Sequence, residues 1–567
     1  MDHTGSEAAP AGEAGQGFRP LRAAATRLAA LLLLAAAAGA AHADSDAQGY
    51  FVDCDRGNDS GSGTSPQEPW KTLGKVKSGV HAVGSDVFIK AGTTCVNQAL
   101  TVGWEGSSSN RVIIGSYYVV GSKALQGFEG SSRPTIRGTY GSACRSTTPS
   151  TCPVGVDADN KDAVPANQWN GLITVRTSHV TVQDLALADS SGAGLVHVGD
   201  NTTSDLVVQN LSIAQTVEAG IRLQRVKSDI LRNNSIDTVS VKKVDGRTKT
   251  WSPAIVVIDS APSYTLIEGN TLGNSGGEGI GVLRSSHTII RGNTLANVRR
   301  PLIYLDNASD NVVEHNVLLG NGYLNGVDES YGIGLSIAVE PYKHDMRSSV
   351  HNVFRNNLMA NTRGCINLEV FRESKYNCGS GDCDDPAAKG YQVGALVYGN
   401  TCLQEKGLYV TSANLTVKNN IDKIEIVDNV FSAKAGRNCA LPEAPASLLT
   451  VDSNVFGTRP SDDACVGTNA KIGAAGIPLD YSAVHSGAIP PPANFRPSKS
   501  SPSKASVAEH AGDSEDRTVI DLKAFPPSMR EFSWSTCQPS PTEWAKALTY
   551  DYECKTRNGR PSAGALE

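Results

Sequence analysis

One phrase recurs through the middle of this chain, and its period constrains the fold more than any other feature. A short run of β-branched or apolar residues is followed by Asn and then by a small or apolar residue. It reads VVQNLSI at Asn210, LRNNSID at Asn234, IEGNTLG at Asn270, IRGNTLA at Asn293, VEHNVLL at Asn316, FRNNLMA at Asn357, VYGNTCL at Asn400 and VDNVFS at Asn429. In VQDLALA, Asp184 stands where the others have Asn. The steps from 184 to 210, 210 to 234, 270 to 293 and 293 to 316 are 26, 24, 23 and 23 residues. A strand-rich repeat of that period predicts one coil of a parallel β-helix per repeat. Asn tolerates a left-handed bend, and its amide can bond the Asn of the next coil, about 4.8 Å away. These asparagines are therefore assigned to the scaffold.

Three steps are longer: 234 to 270, 316 to 357 and 357 to 400. The excess falls in polar segments, Val241 to Ser252, Asn321 to Arg347 and Arg372 to Tyr391. Insertions on a solenoid gather on one face, often the binding face, so three loops from nearby coils could wall a cleft. Composition agrees with a solenoid: 56 Gly, 19% charged and 6% aromatic residues leave little for long amphipathic helices. A net charge of −6 argues against nucleic acid as a partner.

The two ends differ from the repeats. Arg19, Arg22 and Arg27 precede an apolar run from Leu28 to Ala41, and Ala41-His42-Ala43 is a small-x-small cleavage site. This is the pattern of a secretory signal peptide, shorter than a membrane span. The expected location is secreted or periplasmic, with no membrane attachment after cleavage. All twelve cysteines follow residue 43, which in an exported chain suggests disulfides. Proximity would pair Cys144 with Cys152, Cys378 with Cys383, Cys439 with Cys465 and Cys537 with Cys554. Cys54 could then meet Cys95, and Cys365 could meet Cys402. A zinc site is the alternative, but there is no CxxC. Strands are expected at 50–53 and 84–89, with a capping helix opening at 69–73. The expected organisation is a signal peptide (1–43), a cap with the first coils (44–140), the β-helix (141–435) and a C-terminal cover rich in Pro, Ser and Ala (436–567).

The opening YFVDCDRGNDSGSGTSPQEPWKTL, then GSDVFIKAGTTC and NRVIIGSYY, resembles that of secreted pectate-lyase-like right-handed β-helix enzymes. The body is similar to their NosD-like repeats, and the ending RNGRPSAGALE to the tail that seals many of them, with Ser562 in place of a commoner Asp or Ala. The resemblance implies an all-β, right-handed parallel β-helix. It does not select a reaction, because the superfamily holds polysaccharide lyases, glycoside hydrolases, uronate epimerases and non-catalytic adhesins. Epimerase-like members carry Asp-Pro-His, and the nearest segment here, Glu340-Pro341-Tyr342-Lys343-His344-Asp345, departs from it.

The strands GIRLQR, AIVVID, GIGVLR, LIYLDN, GLSIAVE and CINLEV align coil on coil. One parity, including Ile221, Leu223, Ile280, Val282, Ile303, Leu305, Leu335, Ile337, Ile366 and Leu368, should fill the interior. The other should face solvent with Arg222, Tyr304, Asp306, Ser336, Glu340, Asn367 and Glu369, and Arg284 nearby. Asp306, Glu340 and Glu369 come from three successive coils. Carboxylates on neighbouring or alternate coils would stand about 5 or 9.5 Å apart. These values bracket retaining and inverting glycosidase geometries. Glu278, at a turn, is a fourth acid, and Tyr304 suits sugar stacking or proton relay. The alternative for the acids is a solvated stripe or a Ca²⁺ site, Ca²⁺ being the one cofactor the residues suggest. A lyase would instead use a base such as His344 with cations from Lys343, Arg347, Arg372, Arg284 or Arg222 to neutralise a uronate. The readings, in order, are a glycoside hydrolase, a polysaccharide lyase or epimerase, and a non-catalytic carbohydrate-binding β-helix. A monomer acting on a polysaccharide is expected.

Overall fold

The computed structural model describes residues 46–80, 82–128, 132–138, 171–240, 243–244, 247–248, 252–320, 332–340, 347–360, 362, 364–370, 391–404, 421–433, 441, 444–456, 459–460 and 463–472. All belong to the larger of two units, 42–567. The signal peptide and the pairs Cys144–Cys152, Cys378–Cys383 and Cys537–Cys554 lie outside the described residues, as does Cys439.

Each repeat folds into three short strands, and equivalent strands of successive coils pair in parallel. Three long sheets result. Sheet I holds the strands that precede each Asn, such as Thr265–Glu268, Thr288–Arg291 and Val312–Glu314. Sheet II holds those that follow it, such as Thr271–Ser275, Thr294–Val298 and Val317–Leu319. Sheet III runs from Leu100–Val102 to Ile366–Val370 and includes Ile221–Gln224, Ile255–Ile258, Ile280–Leu283, Ile303–Asp306 and Leu335–Val339. Its register sets Ile221, Ile255, Ile280, Ile303, Leu335 and Ile366 in one column. That column and its neighbour through Leu223, Val257, Val282, Leu305, Ile337 and Leu368 are buried in the core, as the alternation predicts.

The Asn ladder exists, with one correction to its register. Asn234, Asn270, Asn293, Asn316, Asn357, Asn400, Asn429 and Asn454 form an unbroken column in which each amide donates to the Oδ1 of the next. The left-handed residue is not the ladder Asn but the one before it: Asn233, Gly269, Gly292, His315, Asn356, Gly399, Asp428 and Ser453. Asn210 and Asp184 belong to this left-handed column, with φ of 56° and 60°. The chain thus separates the two tasks assigned to one residue. The strands Leu449–Asp452, Val455–Phe456 and Lys471–Ile472 carry the β-helix past 435, where the sequence places its end.

The N-terminal end is closed by Tyr50–Val52 and the helix Leu73–Gly79. Thr72 Oγ1 caps the helix by accepting from the Lys75 N–H at 3.1 Å. Leu73, Val76 and Trp70 bury against the first coils, and Trp70 stacks on Tyr50. Gly63, at φ +69°, lets the turn approach the Trp70 ring, 2.3 Å from where a Cβ would stand. Disulfides join Cys54 to Cys95 and Cys365 to Cys402, as proximity suggested, and Cys465 is also disulfide-bonded.

The outward faces correct a second expectation. Outward residues of sheet III are covered, not solvated: Tyr304 is 9% exposed, Ser336 2%, Asn367 9% and Asp306 0%. On sheet I a column of charges, Glu268, Arg291, Glu314 and Arg355, is likewise buried and paired from coil to coil. Alternation fixes which side chains point out. It does not determine what lies over them.

Candidate functional site

The chemistry-bearing residues gather on the outward face and at both strand ends of sheet III. Register places Arg222, Val256, Gly281, Tyr304, Ser336 and Asn367 in one outward column. Asp306, Ala338 and Glu369 share the next. Asp306 and Glu369 are therefore two coils apart, and Glu340 lies beyond the end of its strand, Leu335–Val339, not in their column. The Glu369 side chain, Lys343, His344 and Arg372 lie outside the described residues.

Glu278 enters from the opposite end of the strands. It lies in the turn Gly276-Gly277-Glu278-Gly279 that leads into Ile280–Leu283. Its carbonyl accepts from Ser275 Oγ and from the Ala254 N–H, both at 2.9 Å. Gly279 permits the tight approach of the next coil, since a Cβ there would stand 2.3 Å from the Leu302 carbonyl oxygen. The Glu278 side chain is buried, and among the described residues its Oε2 has no hydrogen-bond partner. Burial pushes its carboxyl up to about 7, Arg300 opposes the shift and the Glu340 carboxylate adds to it. The two carboxyl groups therefore share one electrostatic environment although their backbones sit at opposite ends of the sheet.

Tyr304 lies on the Glu340 side of the pair. Its Oη donates to Glu340 Oε1 at 2.5 Å. Glu340 is also held through its backbone: its N–H donates to Asp306 Oδ1 at 3.2 Å and its carbonyl accepts from Asn307 Nδ2 at 3.0 Å. Asp306 Oδ1 accepts from Asn307 Nδ2 as well, at 2.7 Å. Asp306 is fully buried, and its Oδ1 accepts from two neighbouring N–H groups. The sequence reading offered it as an exposed acid.

The arginines form a second group. Arg284 grips Asp259 on the preceding coil through Nε at 2.8 Å and through its terminal NH2 at 2.7 Å. Burial lowers Arg222 below the ordinary arginine range, against the pull of Glu218 and Asp259, and Arg284 lowers it further. Arg347 is exposed and donates to the Arg284 carbonyl at 3.3 Å. The structure thus brings together Glu278, Glu340 and Tyr304, with Arg222, Arg284 and Arg347 forming their own cluster. Sequence reasoning missed Asn307, Arg300, Asp259 and Glu218. Asp259 and Asn307 were findable, since each directly follows a sheet III strand, where a left-handed residue is needed. Among the described residues no group of three or more His, Cys, Asp or Glu is placed to hold a metal ion. No described helix is long and apolar enough to cross a membrane.

The chain matches the family model described as "Right handed beta helix region" over residues 243–383. No curated protein matches its sequence. Among solved structures it is similar to GH136 lacto-N-biosidase from Eubacterium ramulus, at 14% identity over 75% of this chain and 67% of that one, with a TM-score of 0.39. It is similar to alginate lyase from Paenibacillus sp. str. FPU-7 at 13% identity, covering 60% and 94%, with a TM-score of 0.37. For pectate lyase Pel9A the identity is 13%, the coverage 81% and 91%, and the TM-score 0.42. The three stacked parallel sheets have the fold of a right-handed parallel β-helix, in keeping with the description of the region matched at 243–383.

Proposed function

We propose that the chain is an exported carbohydrate-active enzyme that cleaves a polysaccharide, with Glu278 as proton donor and Glu340 as its ionised partner. One observation carries the reading: a buried carboxyl whose Oε2 has no hydrogen-bond partner among the described residues, pushed by burial up to about 7, feels the charge of a second carboxyl that is held by Tyr304. Glycoside hydrolysis needs that division of labour. Glu278 would protonate the glycosidic oxygen, and Glu340 would act as base or nucleophile, oriented by Tyr304. The disulfides support export. The sugar-cleaving activities named for the structural neighbours supply probes, namely alginate, polygalacturonate and oligosaccharides ending in lacto-N-biose.

A second reading is a lyase. It is favoured by the half-buried Arg222 and by the Tyr304 hydroxyl, a cation and a proton carrier three coils apart on one outward column. A lyase leaves an unsaturated uronide that absorbs ultraviolet light, whereas a hydrolase adds reducing ends without that absorbance. The probes are assayed both ways with the wild type and Glu278→Gln. The hydrolase reading expects reducing ends alone, an alkaline limb near pH 7 and a loss of about 10²- to 10⁴-fold in the variant. Wild-type rates in Glu278→Gln would refute the assignment.

A further inference from the structure

The turn after each sheet III strand follows a rule that one coil breaks. Arg225, Asp259, Arg284 and Asn307 each follow their strand in the left-handed region, with φ between 48° and 57°. Each donates its N–H to the coil above, to Ile258 O, Leu283 O, Asp306 O and Ala338 O respectively. The next residues, Val226, Ser260, Ser285 and Ala308, start the return to sheet I and form their own column. The Val226 N–H bonds Ser260 Oγ, the Ser260 N–H bonds Ser285 Oγ, and the Ala308 N–H bonds Ser349 Oγ. In the coil above Asn307 the first position belongs to Val339, still within its strand, and the second to Ser349. Residues 340–348 are therefore spliced between two positions that are adjacent in every one of those four coils.

Both ends of this excursion meet one side chain. Asn307 Nδ2 donates to the Glu340 carbonyl at 3.0 Å, and Asn307 Oδ1 accepts from the Arg347 N–H at 2.8 Å. The chain leaves and returns through a single amide. That amide is only 1% exposed and is set by a left-handed backbone, which Asn tolerates better than most residues. With Asp306 on the Glu340 N–H and Tyr304 on its carboxylate, the end of one strand fixes Glu340 at three points.

We infer that Asn307 is the positioning residue of this site: it clasps the base of the 340–348 excursion and so sets where the Glu340 carboxylate stands. The inference rests on the reading of Glu278 and Glu340 as the reacting pair. Asn307 touches no reacting atom. It acts through Glu340, in the way that small displacements of a reacting group cost rate without loss of binding.

The test is Asn307→Gly, which keeps the left-handed backbone and removes all three bonds of the amide. Asn307→Asp is the companion that retains the acceptor for Arg347 and loses the donor to the Glu340 carbonyl and to Asp306 Oδ1. Hydrogen exchange needs no substrate. The Glu340 and Arg347 amides should exchange at least about tenfold faster in Asn307→Gly, with 303–305 unchanged. On whichever probe polysaccharide the wild type cleaves, kcat should fall about 10- to 100-fold with KM nearly constant. The alkaline limb should also move to lower pH as the Glu340 charge drifts from Glu278. In Asn307→Asp exchange should rise in the same direction, and the limb is compared only in Asn307→Gly because the new carboxylate brings its own charge. Unchanged exchange in both variants would remove the clasp. Faster exchange with unchanged kcat and limb would remove its positioning role. Glu278→Gln is run beside them: if it keeps the wild-type rate, the catalytic reading has failed, and the exchange data still decide the clasp.

Discussion

Glu314 on sheet I and Glu278 beside sheet III are both buried glutamates, 2% and 8% exposed, yet they hold their protons in opposite ways. Burial pushes Glu314 up, but Arg355, His315 and Arg291 outweigh it and keep the carboxyl below the usual range. Arg355 grips its Oε2 through Nε and a terminal NH2, both at 2.6 Å. Burial pushes Glu278 up in the same way, and Arg300 is too weak an opponent to bring it back. Burial alone therefore does not decide ionisation in this protein. The decision lies in whether the next coil supplies a cation in register. Sheet I does so along a whole column, and sheet III leaves one acid uncompensated where the chemistry is proposed.

The comparison can be broken on its compensated side. Arg355→Met leaves Glu314 buried without its main cation and should cost about 3–5 kcal/mol at pH 7, read by urea unfolding. Glu314 would then behave like Glu278, so the loss should shrink at pH 5, where the stranded carboxyl takes up a proton. A loss that is small, or equal at both pH values, would show that the column is not what stabilises the charge.

The uncompensated side gives the next largest effect, with the opposite sign. A folded carboxyl raised from 4.5 to about 7 binds its proton more tightly than the unfolded chain does. Stability is therefore full below pH 4.5 and falls as pH rises towards 7. Glu278→Gln removes that penalty and should stabilise the protein by about 3 kcal/mol at pH 8, and by little at pH 4. An equal effect at the two pH values would contradict the buried-acid description.

Two neutral features sharpen the contrast. Asn316→Ala takes the acceptor from the Asn293 N–H and amide and the donor from the Ile290 carbonyl, a loss of about 1–3 kcal/mol. Thr72→Ala removes the helix cap for about 1 kcal/mol. Neither group titrates, so both losses should be the same at pH 5 and pH 8. A pH-dependent loss in either would mean that charge reaches further along the solenoid than the two columns suggest.

Much of the fold was legible because it repeats. Branched apolar residues at alternate positions gave the interior parity, and the Asn period gave the coils. The offset between ladder and left-handed columns was hidden by doublets such as Asn233-Asn234, where either residue could serve either role. At Asn210 the ladder position is held by Leu211, which no spacing could reveal. The site was harder to read for a different reason. Outward parity alone does not distinguish a solvated acid from a covered one, and Asp306 is covered. Glu278 is visible as a residue in a glycine-rich turn, but its burial arises from the neighbouring coils and not from any local pattern. Asn307 carries no charge and acts on residues 33 and 40 positions away, so no local pattern announces it.

The asparagine column has a consequence for how such a chain changes over generations. Successive members are separated by 36, 23, 23, 41, 43, 29 and 25 residues, yet each meets the next with the same pair of bonds. The column is an address that every coil must reach, whatever distance the chain has travelled since the last one. An insertion or deletion between two addresses is absorbed locally and shifts no other coil. Loops beside the site can thus be lengthened, exchanged or lost while the core keeps its count, so new substrate preferences can be tried on a scaffold that does not have to be refolded for each of them.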